Sequence, residues 1–296
     1  MQVVPRPFGQ VLRDSMSTLG RTWRALAPPA LLVFIPAGLA TLLLFRVTGA
    51  VEVFDKILNE PAFIQTLPRE TMRDLLLPFY RATGLAALIN AVAAAFVYVA
   101  SHRIVAADIA GGPSPRGVLG DALRQTTPAF LAWLVATVAG ALLLVAGLTL
   151  WMIPASLVGA PNATSVLIAG FLLPILVGPA IWLLVSASMV TPVVALERLG
   201  VLASLRRSIG LVKGRWWPTL GYLLLIGVFG VIALQLIQFI AIPLMALGGV
   251  GLALNLVAIL GIVTQGLIVA GIGAMLTWWY VDLRARRETL LGEDLH

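Results

Sequence analysis

The sequence predicts an all-α fold, a polytopic bundle of six transmembrane helices with short cytoplasmic interfacial helices. Hydrophobic residues make up 60% of the 296 residues and charged residues only 11%, with a mean hydropathy of +1.00. An average soluble domain carries about 25% charged residues. The apolar residues form six runs, near the length of about 20 residues that a helix needs to cross a membrane. The basic residues are concentrated in alternate connections between those runs.

The six predicted spans follow directly from the apolar runs. They are Pro28–Phe45, Ala82–Ser101, Pro128–Leu150, Val166–Val194, Pro218–Leu247 and Leu252–Tyr280. Spans five and six are separated by the run Leu247–Gly251, whose glycines permit the backbone conformations of a tight turn. We therefore expect these two spans to form a hairpin.

The distribution of Lys and Arg predicts the orientation of the chain. The segments before span one and after spans two, four and six hold 15 of the 20 basic residues. By the positive-inside rule these segments are cytoplasmic, so both termini are expected on the cytoplasmic side of the cell inner membrane. The formal charge of +7 then reports topology, and nucleic acid is not an expected partner. The connection Thr48–Tyr80 is the sizeable outer loop, and its amphipathic end is expected to lie in the interface.

Spans one, three and five share a pattern at their cytoplasmic side. Each begins at a proline that follows a short amphipathic stretch: Pro28, Pro128 and Pro218. The first stretch repeats its apolar residues at helical spacing: Leu12, Met16, Leu19, Trp23 and Leu26. Such a stretch is typical of a helix on the inner leaflet. Two interpretations stay open, three hairpin units (1–110, 111–200 and 201–296) or an ordinary series of helices with Pro and Gly at loop ends.

Side chains that could carry chemistry are few. The chain has no cysteine, and its two histidines, His102 and His296, have no sequence neighbours that would make a metal site or catalytic dyad. We therefore expect neither an enzyme nor a metal or cofactor, and we interpret His102 as an interfacial residue.

Four amide side chains lie within the predicted spans: Gln235, Gln238, Asn255 and Gln265. Such groups usually bond a neighbouring helix, and a substrate site is the alternative. Span four also contains Pro174, Pro179 and Pro192, and interrupted helices are a feature of transporter sites. Kinks of this kind also occur without function.

Two motifs in the last hundred residues carry a family resemblance. The segments ASLRRSIGLVKGRWWP (203–218) and TWWYVDLRARRE (277–288) resemble the membrane domain family named after glycerophosphoryl diester phosphodiesterase. The resemblance implies a bacterial inner-membrane protein with six spans. The catalytic domain that follows this domain in some members is not expected, because eight residues follow Glu288. The residues at matching positions are Ser208, Lys213, Gly214, Arg215, Trp216, Tyr280, Asp282, Arg284 and Glu288.

Both motifs are expected at the inner membrane surface. Their tryptophans and Tyr280 predict an aromatic belt there. The candidates for contact with a lipid phosphate or the interface are Arg206, Arg207, Lys213, Arg215, Asp282 and Arg284. We expect Asp282 to pair with a basic residue of the segment from Arg206 to Arg215, which would join that segment to span six.

Two functions remain in competition. The first is a non-enzymatic membrane protein that scaffolds or modulates a partner, or contacts lipid, at the cytoplasmic leaflet. The alternative is a small-solute or lipid transporter with a cavity around spans four to six. The expected partners are membrane lipid and either another protein or a second copy of the chain.

Overall fold

The computed structural model describes residues 5–49, 69–112, 117–157 and 163–293. Across these residues the chain forms seven helices and no strand, so the predicted all-α class is confirmed. The helices are α1 (Phe8–Val47), α2 (Arg69–Ile109), α3 (Val118–Leu157), α4 (Ala163–Ala187), α5 (Val190–Glu197), α6 (Val201–Val212) and α7 (Trp216–Glu293). Six segments within them are long and apolar enough to cross a membrane, which confirms the predicted number of spans.

Helix α7 contains spans five and six and reverses direction between them. The Tyr222 hydroxyl lies 3.0 Å from the Met275 carbonyl oxygen, although 53 residues separate the two positions. A straight helix would place them about 80 Å apart. The two residues lie about equally far along the chain from the predicted glycine-rich run Leu247–Gly251, which the structure assigns as helical, so the place of the turn stays a prediction. We call Trp216–Leu236 the first arm of α7 and Ile259–Glu288 the second arm.

Two of the three predicted interfacial helices are not separate elements. Helix α1 continues through Pro28 and Pro29, and α3 continues through Pro128. Proline is tolerated inside a membrane helix because neighbouring groups satisfy the backbone atoms that it frees. Only the third interfacial stretch forms a helix of its own, α6, and Pro218 lies in the first turn of the span that follows. The threefold repeat therefore stays a prediction.

The predicted outer loop Thr48–Tyr80 is helical in its last part. Helix α2 begins at Arg69, so the predicted interfacial end of the loop is the first part of a continuous helix. Residues 50–68, which hold most of that loop, lie outside the described residues, as do Pro161 and Asn162 between spans three and four.

Glycines allow close contacts between α1, α2 and the second arm of α7. A Cβ atom at Gly266 would lie 3.0 Å from the Phe34 side chain, and one at Gly273 would lie 2.9 Å from the Ser101 Cβ atom. A Cβ atom at Gly38 would overlap the side chain of Ile262. Small residues let helices approach closely in a membrane, where van der Waals packing is a principal attraction between them.

We expect Gly38→Ala to destabilise the bundle by about 1–3 kcal/mol, because the β-branched Ile262 side chain would have to move. The measurement is the free energy of unfolding in detergent micelles by titration with dodecyl sulfate. Gly20→Ala on the same helix is the matched control, since Gly20 has no atom within 4 Å of its Cβ position. The control should gain up to about 1 kcal/mol from helix propensity. Equal effects of the two variants would contradict the close contact.

Candidate functional site

Ionic side chains gather at one end of the bundle, which we call the charged end. It comprises the segment before α1, the first turns of α1, the end of α2, the start of α3, helices α5 and α6, and the last turns of the second arm. Its ion pairs include Arg6–Asp14, Arg21–Asp108 at 2.8 Å, Arg103–Asp121, Arg207–Glu197 at 3.1 Å and Arg286–Asp282 at 2.7 Å. Several of these pairs join different helices, so they hold the ends of the spans together.

Asp282 is the most deeply buried carboxylate of the charged end, with 3% of its surface exposed. The Arg6 backbone N–H donates to its Oδ1 atom at 2.8 Å, and Arg286 Nε donates to its Oδ2 atom at 2.7 Å. The Arg286 guanidinium also donates to the Arg6 carbonyl oxygen. The predicted pairing of Asp282 with the Arg206–Arg215 segment is therefore wrong. Arg286 lies one helical turn away on the same face, and the N-terminal segment covers the carboxylate.

Glu197, at the end of α5, accepts hydrogen bonds from two other elements. Arg207 Nε of α6 donates to both of its carboxylate oxygens at 3.1 Å, and the Tyr280 hydroxyl of the second arm donates at 2.6 Å. This carboxylate therefore joins α6 to span six, the connection that had been predicted for Asp282. The sequence offered one signal for Glu197, since an acidic residue followed closely by glycine ends spans two, four and six.

The six candidate contacts for lipid divide into two groups. Arg207 and Asp282 are engaged as described, and Arg284 donates to Glu288 at 2.6 Å within one helix. The other group is Arg206, Lys213 and Arg215, which are exposed and have no ion-pair partner among the described residues. We call these three the free cations. They lie at the outer surface of the charged end, on α6 and the turn that follows it.

The break between α4 and α5 at Ser188 and Met189 is closed by a side chain from α6. Pro192 causes the break because it has no N–H to offer the Ser188 carbonyl oxygen. The Ser208 hydroxyl donates to the Ser186 carbonyl oxygen at 2.8 Å and accepts from the Met189 N–H at 3.1 Å. Two backbone groups at the break, the Ser186 carbonyl oxygen and the Met189 N–H, are thus bonded within the protein, which weighs against a substrate site at these groups.

His102 lies on α2 and is buried against α5 and α7, so its interpretation as an interfacial residue is wrong. Its Nδ1 atom lies 2.9 Å from Thr277 Oγ1, and its Nε2 atom lies 3.2 Å from Thr191 Oγ1. The Thr277 hydroxyl already donates to the Gly273 carbonyl oxygen at 2.8 Å. It must therefore accept from the imidazole, which assigns the proton to Nδ1 and makes Nε2 the acceptor from Thr191. Both ring nitrogens are therefore hydrogen-bonded to neighbouring helices.

A second layer of polar contacts joins α1 to α7. The hydroxyl oxygens of Ser15 and Tyr222 lie 2.8 Å apart, and Trp278 Nε1 donates to Thr18 Oγ1 at 2.9 Å. The Tyr222 ring stacks on Trp279 with a centroid separation of 4.7 Å. The face of α1 that is buried at the charged end therefore carries hydroxyl groups.

The predicted aromatic belt is only partly at the surface. Trp217 is 75% exposed, whereas Trp278, Trp279 and Tyr280 are buried. The indole of Trp216 reaches across to α4, where its Nε1 atom donates to the Trp182 carbonyl oxygen at 3.3 Å. Three of the five belt residues thus pack inside the bundle, because their N–H and O–H groups find partners there.

The amides of the spans do not gather into a site among the described residues. Gln235 and Gln265 are exposed on the two arms of α7. The side chains of Gln238 and Asn255 lie outside the described residues. Their predicted bonds to neighbouring helices remain untested.

An apolar groove of about 520 Å³ lies between α4 and the first arm of α7. Its walls are Leu184 and Val185 on one side and residues between Leu220 and Ile232 on the other, with no polar side chain among them. A second groove of about 430 Å³ lies between α1, α2 and α3. The first groove lies within the region where the alternative function places a cavity, but its lining suits an apolar occupant.

Six apolar spans that meet in an ion-paired end define an integral, multi-pass membrane protein. The chain matches no protein-family model, no curated protein and no solved structure. The resemblance to the phosphodiesterase-associated membrane domain therefore stays a prediction. Across the described residues, no group of three or more His, Cys, Asp or Glu side chains could hold a metal ion.

Proposed function

We propose that this chain is a non-enzymatic scaffold protein of the bacterial inner membrane, which contacts anionic phospholipid at the cytoplasmic leaflet. One observation carries the proposal. The side chains of His102 and Ser208 inside the bundle are bonded to other groups of the protein. The free cations Arg206, Lys213 and Arg215 are instead exposed at the charged end. Cations at that level suit the phosphates of lipid headgroups, and each contributes about 1 kcal/mol near an anionic surface.

The assignment of the charged end to the cytoplasm rests on the basic residues. Most of the Lys and Arg side chains lie in the segments that meet at this end, and basic residues are retained on the cytoplasmic side during insertion. The same orientation places both termini in the cytoplasm. The exposed Trp217 ring supports an interfacial position, because indoles favour the headgroup level.

The transporter alternative has less support. The Ser186 carbonyl oxygen, next to the break in span four, accepts from Ser208, and the groove beside it has an apolar lining. A polar solute would find no fixed partner in either place. Solute-dependent flux through the protein in liposomes would overturn the scaffold proposal in favour of transport.

The test compares the lipid preference of the native protein with that of a triple variant, Arg206→Gln, Lys213→Gln and Arg215→Gln. Each is reconstituted in nanodiscs of phosphatidylglycerol mixed with phosphatidylcholine, and the enrichment of phosphatidylglycerol around the protein is measured. We expect the native protein to enrich the anionic lipid and the triple variant to lose most of that enrichment, because three cations near the headgroups are removed.

The matched control removes the same charge from the opposite end of the bundle. It carries Arg46→Gln, Arg73→Gln and Arg81→Gln, and all three of these side chains are exposed. The control should keep the enrichment of the native protein. Equal losses in both variants, or no enrichment by the native protein, would contradict the proposal.

A further inference from the structure

The lining that the first arm gives to the groove is about as long as one membrane leaflet is thick, and α4 contributes Leu184 and Val185 to the opposite side. Along the first arm it extends from Leu220 to Ile232, which corresponds to about 18 Å of helix. Half of a hydrocarbon core of about 30 Å is about 15 Å. The groove starts close to the charged end, since Leu220 lies in the second turn of α7. It therefore covers the part of the bundle that one leaflet would surround.

Two exposed cations precede the end of the groove at Leu220, which we call its mouth. Lys213 and Arg215 flank Gly214 immediately before the first arm, and both are exposed. Arg215 precedes Leu220 by five residues, or about 7 Å along the helix. Gly214 has a φ of +82°, a conformation that L side chains rarely adopt, and this turn places the two cations beside the start of the arm.

The two walls of the groove are fixed to each other at the mouth. The hydrogen bond from Trp216 to the Trp182 carbonyl oxygen links the start of the first arm to α4. The neighbouring Trp217 stands edge-on to Trp216 at a centroid distance of 4.8 Å and is exposed. The groove is thus a built feature with a cationic, aromatic mouth and an apolar length.

We infer that this groove holds one acyl chain of an anionic phospholipid from the cytoplasmic leaflet, with the phosphate at Lys213 and Arg215. The inference rests on the proposed function, because the charged end must face the headgroups of that leaflet. The charge complements an anionic phosphate, and the lining, without any polar side chain, complements a hydrocarbon chain. A zwitterionic lipid would leave more of the positive charge uncompensated.

The test uses the full-length protein in mild detergent and counts bound lipid by native mass spectrometry, with phosphatidylglycerol as the probe. We expect one phosphatidylglycerol per chain for the native protein. Changing Lys213→Gln together with Arg215→Gln should weaken its binding about 30-fold, since two phosphate-facing charges are lost. Phosphatidylglycerol with acyl chains too short to extend along the groove should bind more weakly than the long-chain lipid.

A groove-filling variant separates the acyl chain from the headgroup. Gly227 lines the groove and has no atom within 4 Å of its Cβ position, so Gly227→Leu adds an apolar side chain to the groove lining. It should lower the binding of long-chain phosphatidylglycerol about tenfold, the scale of excluding a few methylene groups. Gly84→Leu is the matched control, because Gly84 is exposed, has the same free space and lies outside the groove. Leu224→Trp, at a groove position 62% exposed, is a second filling variant that should act like Gly227→Leu.

The outcomes distinguish this inference from the proposed function. The filling variants could bind long-chain lipid as the native protein does while the cation variant loses that binding. In that case the acyl chain does not lie in the groove. The proposed function would then survive and the inference would be wrong. If the cation variant also keeps its lipid binding, both the proposed function and the inference are wrong. If filling the groove changes the number of chains per particle instead of the bound lipid, its occupant is a second copy and the inference is overturned.

Discussion

Replacing Asp282 by asparagine is expected to lower the free energy of unfolding by about 3 kcal/mol. The carboxylate is buried, and its removal leaves the Arg286 guanidinium without its counter-charge. Breaking a buried ion pair by removing one partner usually costs about 3–5 kcal/mol. The lower end applies because the Arg286 side chain is 23% exposed and can regain some hydration. The measurement is unfolding by dodecyl sulfate in detergent micelles.

Glu288→Gln provides the matched control on the same helix. The pair Arg284–Glu288 has the same spacing of four residues, but its side chains are 47% and 54% exposed. Exposed pairs of this kind contribute about 0–1 kcal/mol, so the control should change stability by less than about 1 kcal/mol. The double variant Asp282→Asn with Arg286→Gln should recover part of the loss. Equal effects of Asp282→Asn and Glu288→Gln would mean that the buried network is not formed.

Ser208→Ala is expected to destabilise the bundle by about 2–3 kcal/mol. Its hydroxyl satisfies two backbone groups at the break in span four, the Ser186 carbonyl oxygen and the Met189 N–H. Each buried polar group that loses its partner costs about 1–3 kcal/mol. Amide hydrogen exchange gives a local measurement in addition to global stability, because the Met189 N–H should exchange faster in the variant.

Ser204→Ala is the control for this prediction. Ser204 lies one turn earlier on α6, and both serines are fully buried. Its hydroxyl donates to the carbonyl oxygens of Leu199 and Gly200, next to its own helix. The Gly200 carbonyl oxygen keeps the Ser204 N–H as a partner, so the control should lose less than about 1 kcal/mol. A control that destabilises as much as Ser208→Ala, with unchanged exchange at Met189, would contradict the role given to Ser208.

The spans could be predicted because length and hydropathy are properties of the local sequence. The reversal in α7 was also predictable, since three glycines follow one another within five residues between two apolar runs. Both predictions depend on the lipid bilayer. Its hydrocarbon core is crossed by helices of about 20 residues, and lipid-exposed turns must lie outside it.

The inward faces of the helices were harder to predict, for a physical reason. In a membrane the surroundings are as apolar as the interior, so the apolar stripe of a helix need not be its buried face. In α1 the predicted stripe included Trp23, which is 54% exposed, while Ser15 and Thr18 are fully buried. Polar partners identify the interior here, and those partners are distant in sequence.

The same distance explains the error on Asp282. A pairing between the two resembling motifs was predicted from the charges of those motifs alone. The actual neighbour Arg6 is separated from Asp282 by 276 residues, and nothing local connects the two. The sequence could not divide the candidate lipid contacts into paired and exposed side chains. Only the structure shows that Arg207 is paired with Glu197 and that Lys213 is exposed.

The contacts between α1 and α7 join parts of the chain that are synthesised at very different times. Thr18 precedes its indole partner, Trp278, by 260 residues, and Ser15 precedes Tyr222 by 207. At a synthesis rate of about 5–20 residues per second, the first helix is complete for tens of seconds before the last one exists. During that interval the Thr18 hydroxyl lacks its indole partner, Trp278. The contacts between α1 and the second arm of α7 can therefore form only after span six has been synthesised.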